Sequence, residues 1–163
     1  LVSLIQKNAL LNKKEIQTIQ TDILKEDKIK GQLFHHVVSN PPFYDSTGKG
    51  RHNPQQKEAY QANFNLDKWL NFCLKHIRAK GTFTLIHRPE CLTEILNVLT
   101  KKLGKIEIIP IQSKENTPAN RLIIRGKLGD KTPLKILPAL IMHKANGERT
   151  DLAETLLRQG KGI

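Results

Sequence analysis

The chain has 163 residues, about the length of one domain, and its 27 Lys and Arg against 15 Asp and Glu give a formal net charge of +12. Its two cysteines, Cys73 and Cys91, are too few for a disulfide framework or a zinc ligand set. No apolar run approaches the roughly 18 to 20 residues of a membrane span. Composition therefore excludes a disulfide-rich secreted module, a zinc module and a membrane protein, and we expect a cytoplasmic globular protein.

The first part of the chain predicts a helix followed by two strands. Apolar residues recur at helical spacing over residues 1–11, and Glu15–Thr21 alternates apolar and polar residues as a strand does. A second, more apolar strand is predicted over residues 33–38. It ends before the two prolines 41 and 42, which cannot continue a ladder of hydrogen bonds. Because the chain opens inside a helix without an initiator Met, we expect it to be the back portion of a longer protein.

The middle of the chain predicts a loop, a helix and a buried strand. Tyr44–Asn65 has little periodicity, and a loop of this length in a compact domain usually has a function. Apolar residues from Leu66 to Ile77 mark one face of a helix, with Asn65 as its N-cap and Gly81 as its end. Residues 82–87 then predict a strand.

The last part predicts a helix, a pair of strands and a short closing helix. Pro89 begins the helix, which Gly104 ends, and residues 105–111 and 121–127 predict the strand pair. Residues 134–142 form an apolar segment broken by Pro138, and residues 151–158 a final helix. Strands that alternate with helices predict an α/β fold whose sheet is mostly parallel, with an antiparallel hairpin at its edge.

The strongest chemical signal is Asn40-Pro41-Pro42-Phe43, directly after an apolar strand. The two prolines stiffen the backbone and remove two N–H donors, which leaves the Asn40 side-chain oxygen and the Pro41 carbonyl as a rigid pair of acceptors. An amine conjugated to a ring is a poor nucleophile until acceptors hold its two N–H groups and favour its pyramidal form. Positioning and fixed dipoles can then promote methyl transfer without a strong base, while Phe43 offers a face on which a base can stack. The alternative is a rigid turn at a strand end.

This tetrapeptide resembles the signature of the S-adenosylmethionine-dependent amino methyltransferases with a Rossmann-like sheet. Further stretches resemble the bacterial tRNA adenine-N(6) methyltransferases that modify a valine tRNA, and the resemblance covers nearly the whole chain. The stretches are Asn65–Leu99, Asn120–Gly126 and the tail from Pro133 to Gly160. The first of them includes Gly81-Thr82-Phe83-Thr84-Leu85-Ile86-His87-Arg88-Pro89-Glu90. The resemblance implies that residues 1–163 are the C-terminal portion of a single methyltransferase domain, truncated at its N-terminus.

The resemblance also implies roles for individual residues. The catalytic, amine-binding positions are Asn40, Pro41, Pro42 and Phe43. Asp22, with Ile23 beside it, matches the acidic position that contacts the adenine of S-adenosylmethionine, and Asn40 lies next to the same cofactor. For Asp22 the alternative is a helix N-cap or a solvated turn. The family's glycine-rich loop and its second-strand acidic residue would precede Leu1, so we assign activity to the parent protein and expect this piece to hold only part of the cofactor site.

The basic excess suits a nucleic acid, which we expect to be tRNA or another RNA. In the long loop, Tyr44, Lys49, Arg51 and Lys57 are candidate substrate-binding residues. So are His87 and Arg88 at a strand's carboxyl end, where open α/β sheets bind ligands, and the alternative for these two is a packed, hydrogen-bonded pair. Other cations that could contact phosphates are Lys101, Lys102, Lys105, Arg121, Arg125, Lys127, Lys131, Lys135, Lys144 and Arg149. The alternative is a merely solvated surface. The histidines show no metal-ligand spacing, and Trp69 and Cys73 are expected in the core.

Three functions stay open at this point. The first is methylation of an adenine amine in tRNA. The second keeps the chemistry and changes the acceptor to a guanine amine in rRNA or a glutamine amide in a release factor, since the same tetrapeptide serves those amines. The third is an RNA-binding module without catalysis.

Overall fold

The computed structural model describes residues 2–41, 65–160 and 162. The chain forms two compact units, Leu1–Gln32 and Leu33–Ile163. The first contains one helix, α1 (Val2–Leu11), in the region where helical spacing predicts it. The second contains the sheet.

The strand expected at Glu15–Thr21 does not form: these residues are irregular, and the expectation was wrong. Lys14 N donates to Ala9 O just after α1, and Gln6 Nε2 donates to Thr18 Oγ1 at 3.2 Å. Alternation of apolar and polar residues defines two faces, but a strand also needs a neighbour for its backbone N–H and C=O groups. No described strand pairs with this segment, and Ile16 remains 54% exposed.

The second unit is built on an open, mixed sheet of six described strands, which makes the fold α/β as predicted. The strands are β1 (Phe34–Ser39), β2 (Ile77–His87), β3 (Leu103–Lys114), β4 (Ala119–Leu128), β5 (Lys135–Ile136) and β6 (Leu140–His143). Their order is β1-β2-β4-β3-β5, and β6 also pairs with β3.

Three of the five described pairings are parallel, namely β1 with β2, β3 with β5 and β3 with β6. The antiparallel pairings are β2 with β4 and β3 with β4. The β3–β4 hairpin was expected at the edge of the sheet and instead lies inside it, because the apolar segment after Leu134 supplies the two short strands that cover β3.

Helix α2 (Leu66–Lys75) begins as predicted, with Lys68 N donating to the Asn65 side chain at 2.8 Å. The sequence predicts that the helix ends at Gly81. The helix instead ends six residues earlier, because Ile77 is the first residue of β2. Gly81 has a different role. A methyl group on it would lie 2.8 Å from the backbone oxygen of His35, so glycine permits close approach of β1 where the β1–β2 register shifts.

Two further helices follow the predicted starts. Pro89–Cys91 forms a single 3₁₀ turn that leads into α3 (Leu92–Leu99). Gly104, expected to end that helix, lies in β3, where its missing side chain admits the backbone of Asp130. Helix α4 (Asp151–Gln159) begins at Thr150, whose hydroxyl accepts from Ala153 N at 3.1 Å.

One hydrophobic core joins α2 and α3 to a single face of the sheet. β2 and β4 place their buried residues in facing pairs, with Phe83 opposite Gly126 and Leu85 opposite Ile124. The core residues are Leu66, Leu70, Cys73, Leu74, Ile77, Phe83, Leu85, Ile95, Val98, Leu99, Leu103, Ile106, Ile108, Leu122 and Ile124. This layer fixes β1 against β2 and therefore fixes the point at which both strands end.

Candidate active site

The carboxyl ends of β1 and β2 lie side by side at one edge of the sheet. The two strands are parallel, with Val37 opposite Phe83 and Ser39 opposite Leu85, and β2 ends shortly afterwards at His87. Ligands of open α/β sheets bind outside such carboxyl ends. We call this group, made of Ser39, Asn40, Pro41 and His87, the asparagine edge.

Asn40 is exposed between two buried neighbours. Ser39 is 6% exposed and Pro41 is less than 2% exposed. Proline also holds its own φ near −65° and restricts the residue before it. The backbone on both sides of Asn40 is therefore anchored, while its amide side chain faces outward as a donor and an acceptor.

A polar link under this corner ties it to α2. Trp69 Nε1 donates to Ser39 Oγ at 2.8 Å, and the Cys73 thiol is hydrogen-bonded to the same hydroxyl. Burial raises the pKa of Cys73 to about 11, partly offset by the bond to Ser39, so the thiol stays protonated at neutral pH and is no nucleophile. Trp69, expected only as a core residue, thus also positions the last residue of β1.

His87 lies at the end of β2, only 4% exposed, and Arg88 follows it half-buried. Burial lowers the pKa of His87, and the nearby charges of Arg88 and Arg121 lower it further, while the backbone of Arg88 and the Glu90 carboxylate oppose the shift. His87 is therefore a neutral, buried imidazole at pH 7. A neutral ring can support the edge by hydrogen bonding, but it brings no positive charge to a phosphate.

Asp22 and Ile23 belong to the Leu1–Gln32 unit. The Asp22 carboxylate accepts from Leu24 N at 3.1 Å and lies 3.6 Å from Lys25 Nζ, and its backbone oxygen accepts from the two amides that follow Leu24. These bonds form a turn, which is the alternative interpretation of Asp22. Both residues are accessible, since Asp22 is exposed and Ile23 half-buried.

Six of the residues assigned from the sequence lie outside the described residues: Pro42, Phe43, Tyr44, Lys49, Arg51 and Lys57. Their roles stay predictions. Among the rest, the fold brings Asn40, Pro41, His87 and Arg88 to one edge of the sheet.

Sequence reasoning missed Ser39 and the hydrogen-bonding role of Trp69. A signal existed, since a half-buried tryptophan N–H usually finds a partner and a serine that ends an apolar strand can supply one. The two residues are 30 positions apart, however, and only the packing of α2 on β1 brings them together.

Within residues 2–41 and 65–160, no cluster of three or more His, Cys, Asp or Glu could hold a metal ion. None of the described helices combines the length and hydropathy needed to cross a bilayer.

A family model described as N-6 DNA Methylase matches residues 2–101, which is more than half of the chain. No curated protein matches the chain. A solved structure described as a predicted O-methyltransferase, protein Atu636 from Agrobacterium tumefaciens, is similar with a TM-score of 0.67 and 22% identity over 86% of this chain. One described as a class I S-adenosylmethionine-dependent methyltransferase from Listeria monocytogenes is similar with a TM-score of 0.59 and 17% identity over 86% of this chain.

The chain spans 62% of the first of these structures and 46% of the second. At such identities the likeness concerns the fold. The methyltransferase class expected from the tetrapeptide is confirmed, whereas the resemblance to the valine-tRNA group stays a prediction.

Proposed function

Since the chain belongs to the N-6 DNA methylase family, we propose that the protein transfers a methyl group from S-adenosylmethionine to the exocyclic N6 amine of adenine in a nucleic acid, with tRNA as the first candidate. One observation carries the proposal. Asn40 is exposed at the joint carboxyl end of β1 and β2, and buried residues hold it on both sides.

The chemistry follows from what an anchored amide can do. When bound, S-adenosylmethionine supplies an electrophilic methyl carbon. The Asn40 oxygen accepts one N–H of the adenine amine, and the Pro41 carbonyl is the second acceptor we propose. The nitrogen lone pair then forms the new N–C bond, the C–S bond breaks to leave a thioether, and the amine proton passes to water. Fixed dipoles of this kind accelerate a reaction because they need no reorganisation as charge develops.

Asp22 and Ile23 are the residues that we propose for the adenine end of the cofactor. The exposed Asp22 carboxylate can accept a hydrogen bond from an adenine amine, and Ile23 offers an apolar contact beside it. An acceptor beside an apolar side chain fits the adenine end of S-adenosylmethionine.

Asn40→Ala tests the proposal in the protein as its gene encodes it. We expect methyl transfer to fall on the order of 100-fold or more, by analogy with removing one group of a preorganised site, with S-adenosylmethionine binding retained. Asn97→Ala is the matched control, because Asn97 is an exposed asparagine on α3. A wild-type rate in Asn40→Ala would contradict the mechanism.

The name of the family favours DNA as a second candidate substrate. Tritiated methyl transfer to tRNA, rRNA, adenine-containing duplex DNA and release factor, followed by nucleoside and peptide mass analysis, separates the acceptors. N6-methyladenosine in tRNA supports the first candidate, and N6-methyldeoxyadenosine the second. A methylated guanine or glutamine as the main product would replace the adenine proposal.

A further inference from the structure

Five lysines gather at the opposite edge of the sheet, where β3 begins and β4 ends. We call Lys101, Lys102, Lys105, Lys127 and Lys131 the lysine edge. Backbone bonds place them together: Gly104 pairs with Lys127 across β3 and β4. In addition, Gly129 N donates to Lys102 O at 3.1 Å, and Lys105 N donates to Thr132 O at 2.8 Å.

Unlike Arg125, Lys144 and Arg149, these lysines form no described ion pair with a carboxylate. Arg125 bonds Glu107 at 2.6 Å, Lys144 bonds Asp151 at 3.0 Å and Arg149 lies 3.3 Å from Glu154. No described carboxylate forms an ion pair with a lysine of the edge, and four of the five are exposed, Lys127 being half-buried.

Asp130 is the acidic residue within this group. Its Oδ1 accepts from Thr132 N at 2.8 Å. Hydrogen bonds from Thr132 lower the pKa of Asp130 most, and the charge of Lys127 lowers it further. The carboxylate therefore cancels one charge and leaves a clear positive excess.

The lysine edge borders an open groove of about 340 Å³. Thr100, Asp130, Lys131 and Thr132 supply polar groups to its wall, and Leu103 and Leu134 supply apolar ones. The charged residues of this wall are Asp130 and Lys131, so the positive excess comes from the other lysines of the edge and not from the groove itself.

The spacing between the two edges suits a nucleic acid helix. β4 runs from Leu122, the partner of His87, to Lys127, which is about 17 Å at roughly 3.4 Å per residue. One turn of a duplex is about 34 Å, so a helix lying along the sheet covers both edges within about half a turn.

We propose that the lysine edge binds the phosphate backbone of a nucleic acid whose target base reaches the asparagine edge. The inference rests on the proposed function only in taking a nucleic acid as the polyanion. The lysines contact backbone phosphates without reading sequence, so they contribute affinity and orientation while the other edge performs the chemistry.

The test compares two triple variants with equal loss of charge. Lys101→Gln, Lys102→Gln and Lys131→Gln neutralise the lysine edge, and Lys7→Gln, Lys14→Gln and Lys30→Gln neutralise exposed lysines of the Leu1–Gln32 unit. Binding of a fluorescein-labelled RNA hairpin and of a DNA duplex is measured by anisotropy between about 50 and 200 mM salt. Thermal unfolding checks that each variant is folded.

We expect the edge variant to lower the slope of log K against log salt by about 2 to 3 and to weaken binding about tenfold at about 0.1 M salt. The control variant keeps the wild-type slope, and arginine at the same three edge positions restores it. The proposal is overturned by an equal loss in the control, by an unchanged slope in the edge variant, or by edge-dependent binding to anionic vesicles without binding to either nucleic acid.

Binding and methylation fail separately in this design. If the lysine edge controls the salt slope but no acceptor is methylated, the proposed function fails and the surface stands. If methylation occurs and the edge variant binds like wild type, the surface fails and the proposed function stands.

Discussion

The asparagine edge and the lysine edge lie at opposite ends of the same sheet, the first where β1 and β2 end and the second where β3 begins and β4 ends. At the asparagine edge, the exposed side chain of Asn40 lies between two buried residues, and a 2.8 Å hydrogen bond from Trp69 fixes the preceding residue, Ser39. At the lysine edge, five lysines that form no described ion pair lie near an open groove, which Lys131 helps to line. Chemistry needs one atom in a fixed place, whereas binding a polyanion needs charge density and tolerates motion.

The largest effect is expected from a substitution that disturbs the backbone packing of the lysine edge. In Gly104→Ala the new methyl group would meet the backbone oxygen of Asp130 at 2.1 Å, so the turn that carries Lys131 must shift. We expect a loss of about 3 kcal/mol in the free energy of unfolding, as for overpacking, and a smaller salt slope for RNA binding. Denaturant unfolding and anisotropy measure the two effects.

Gly129→Ala is the control for that variant. Gly129 has a φ of +73°, and a methyl group placed on it would have no atom within 4 Å, so alanine there meets only backbone strain of about 1 to 2 kcal/mol. Equal losses from the two substitutions would show that close approach to Asp130 is not what requires Gly104.

The asparagine edge is tested by removing one hydrogen bond. Trp69→Phe keeps an aromatic ring but deprives Ser39 of a donor, which we expect to cost about 1 kcal/mol of stability. Because the bond sets the position of Asn40, kcat should fall about tenfold with KM for the nucleic acid unchanged. Steady-state kinetics with the accepted substrate provides the measurement.

Serine substitutions supply the control for the Trp69 prediction. Ser39→Ala should repeat the fall in kcat, and the double variant with Trp69→Phe should be little worse than either single one. Ser113→Ala removes a hydroxyl that accepts from Asn120 Nδ2 at 2.8 Å on an exposed surface, and kcat should stay unchanged. Additive losses in the double variant would separate Trp69 from Ser39.

The pH dependence of stability tests the role of His87 at the asparagine edge. The pKa of His87 is lowered in the folded state from its ordinary 6.5, chiefly by burial, so below about pH 6.5 the unfolded chain gains a proton that the folded chain resists. Stability should therefore decline as the pH falls from 7 to 5, by at most about 1.4 kcal/mol per pH unit. His87→Gln should flatten this part of the profile in chemical denaturation, and an identical profile would remove His87 as its cause.

The sequence predicted the elements that depend on local chemistry. β1 ends before the proline pair, α2 begins at the Asn65 cap, and α4 begins near Thr150, because a missing N–H or a capping side chain acts within a few residues. The motif and the family resemblance likewise predicted the methyltransferase class and the position of Asn40 after a strand.

Tertiary structure decided what local pattern left open. Ile77 and Leu103 fit helix faces by spacing, yet both begin strands. An apolar residue can be buried equally well in a helix or in a strand, so pairing with a neighbouring strand decides which element forms. Glu15–Thr21 has the alternation of a strand without a described partner. The bond between Ser39 and Trp69 and the grouping of Lys101 with Lys127 likewise depend on residues far apart in the chain, which only packing brings within reach of each other.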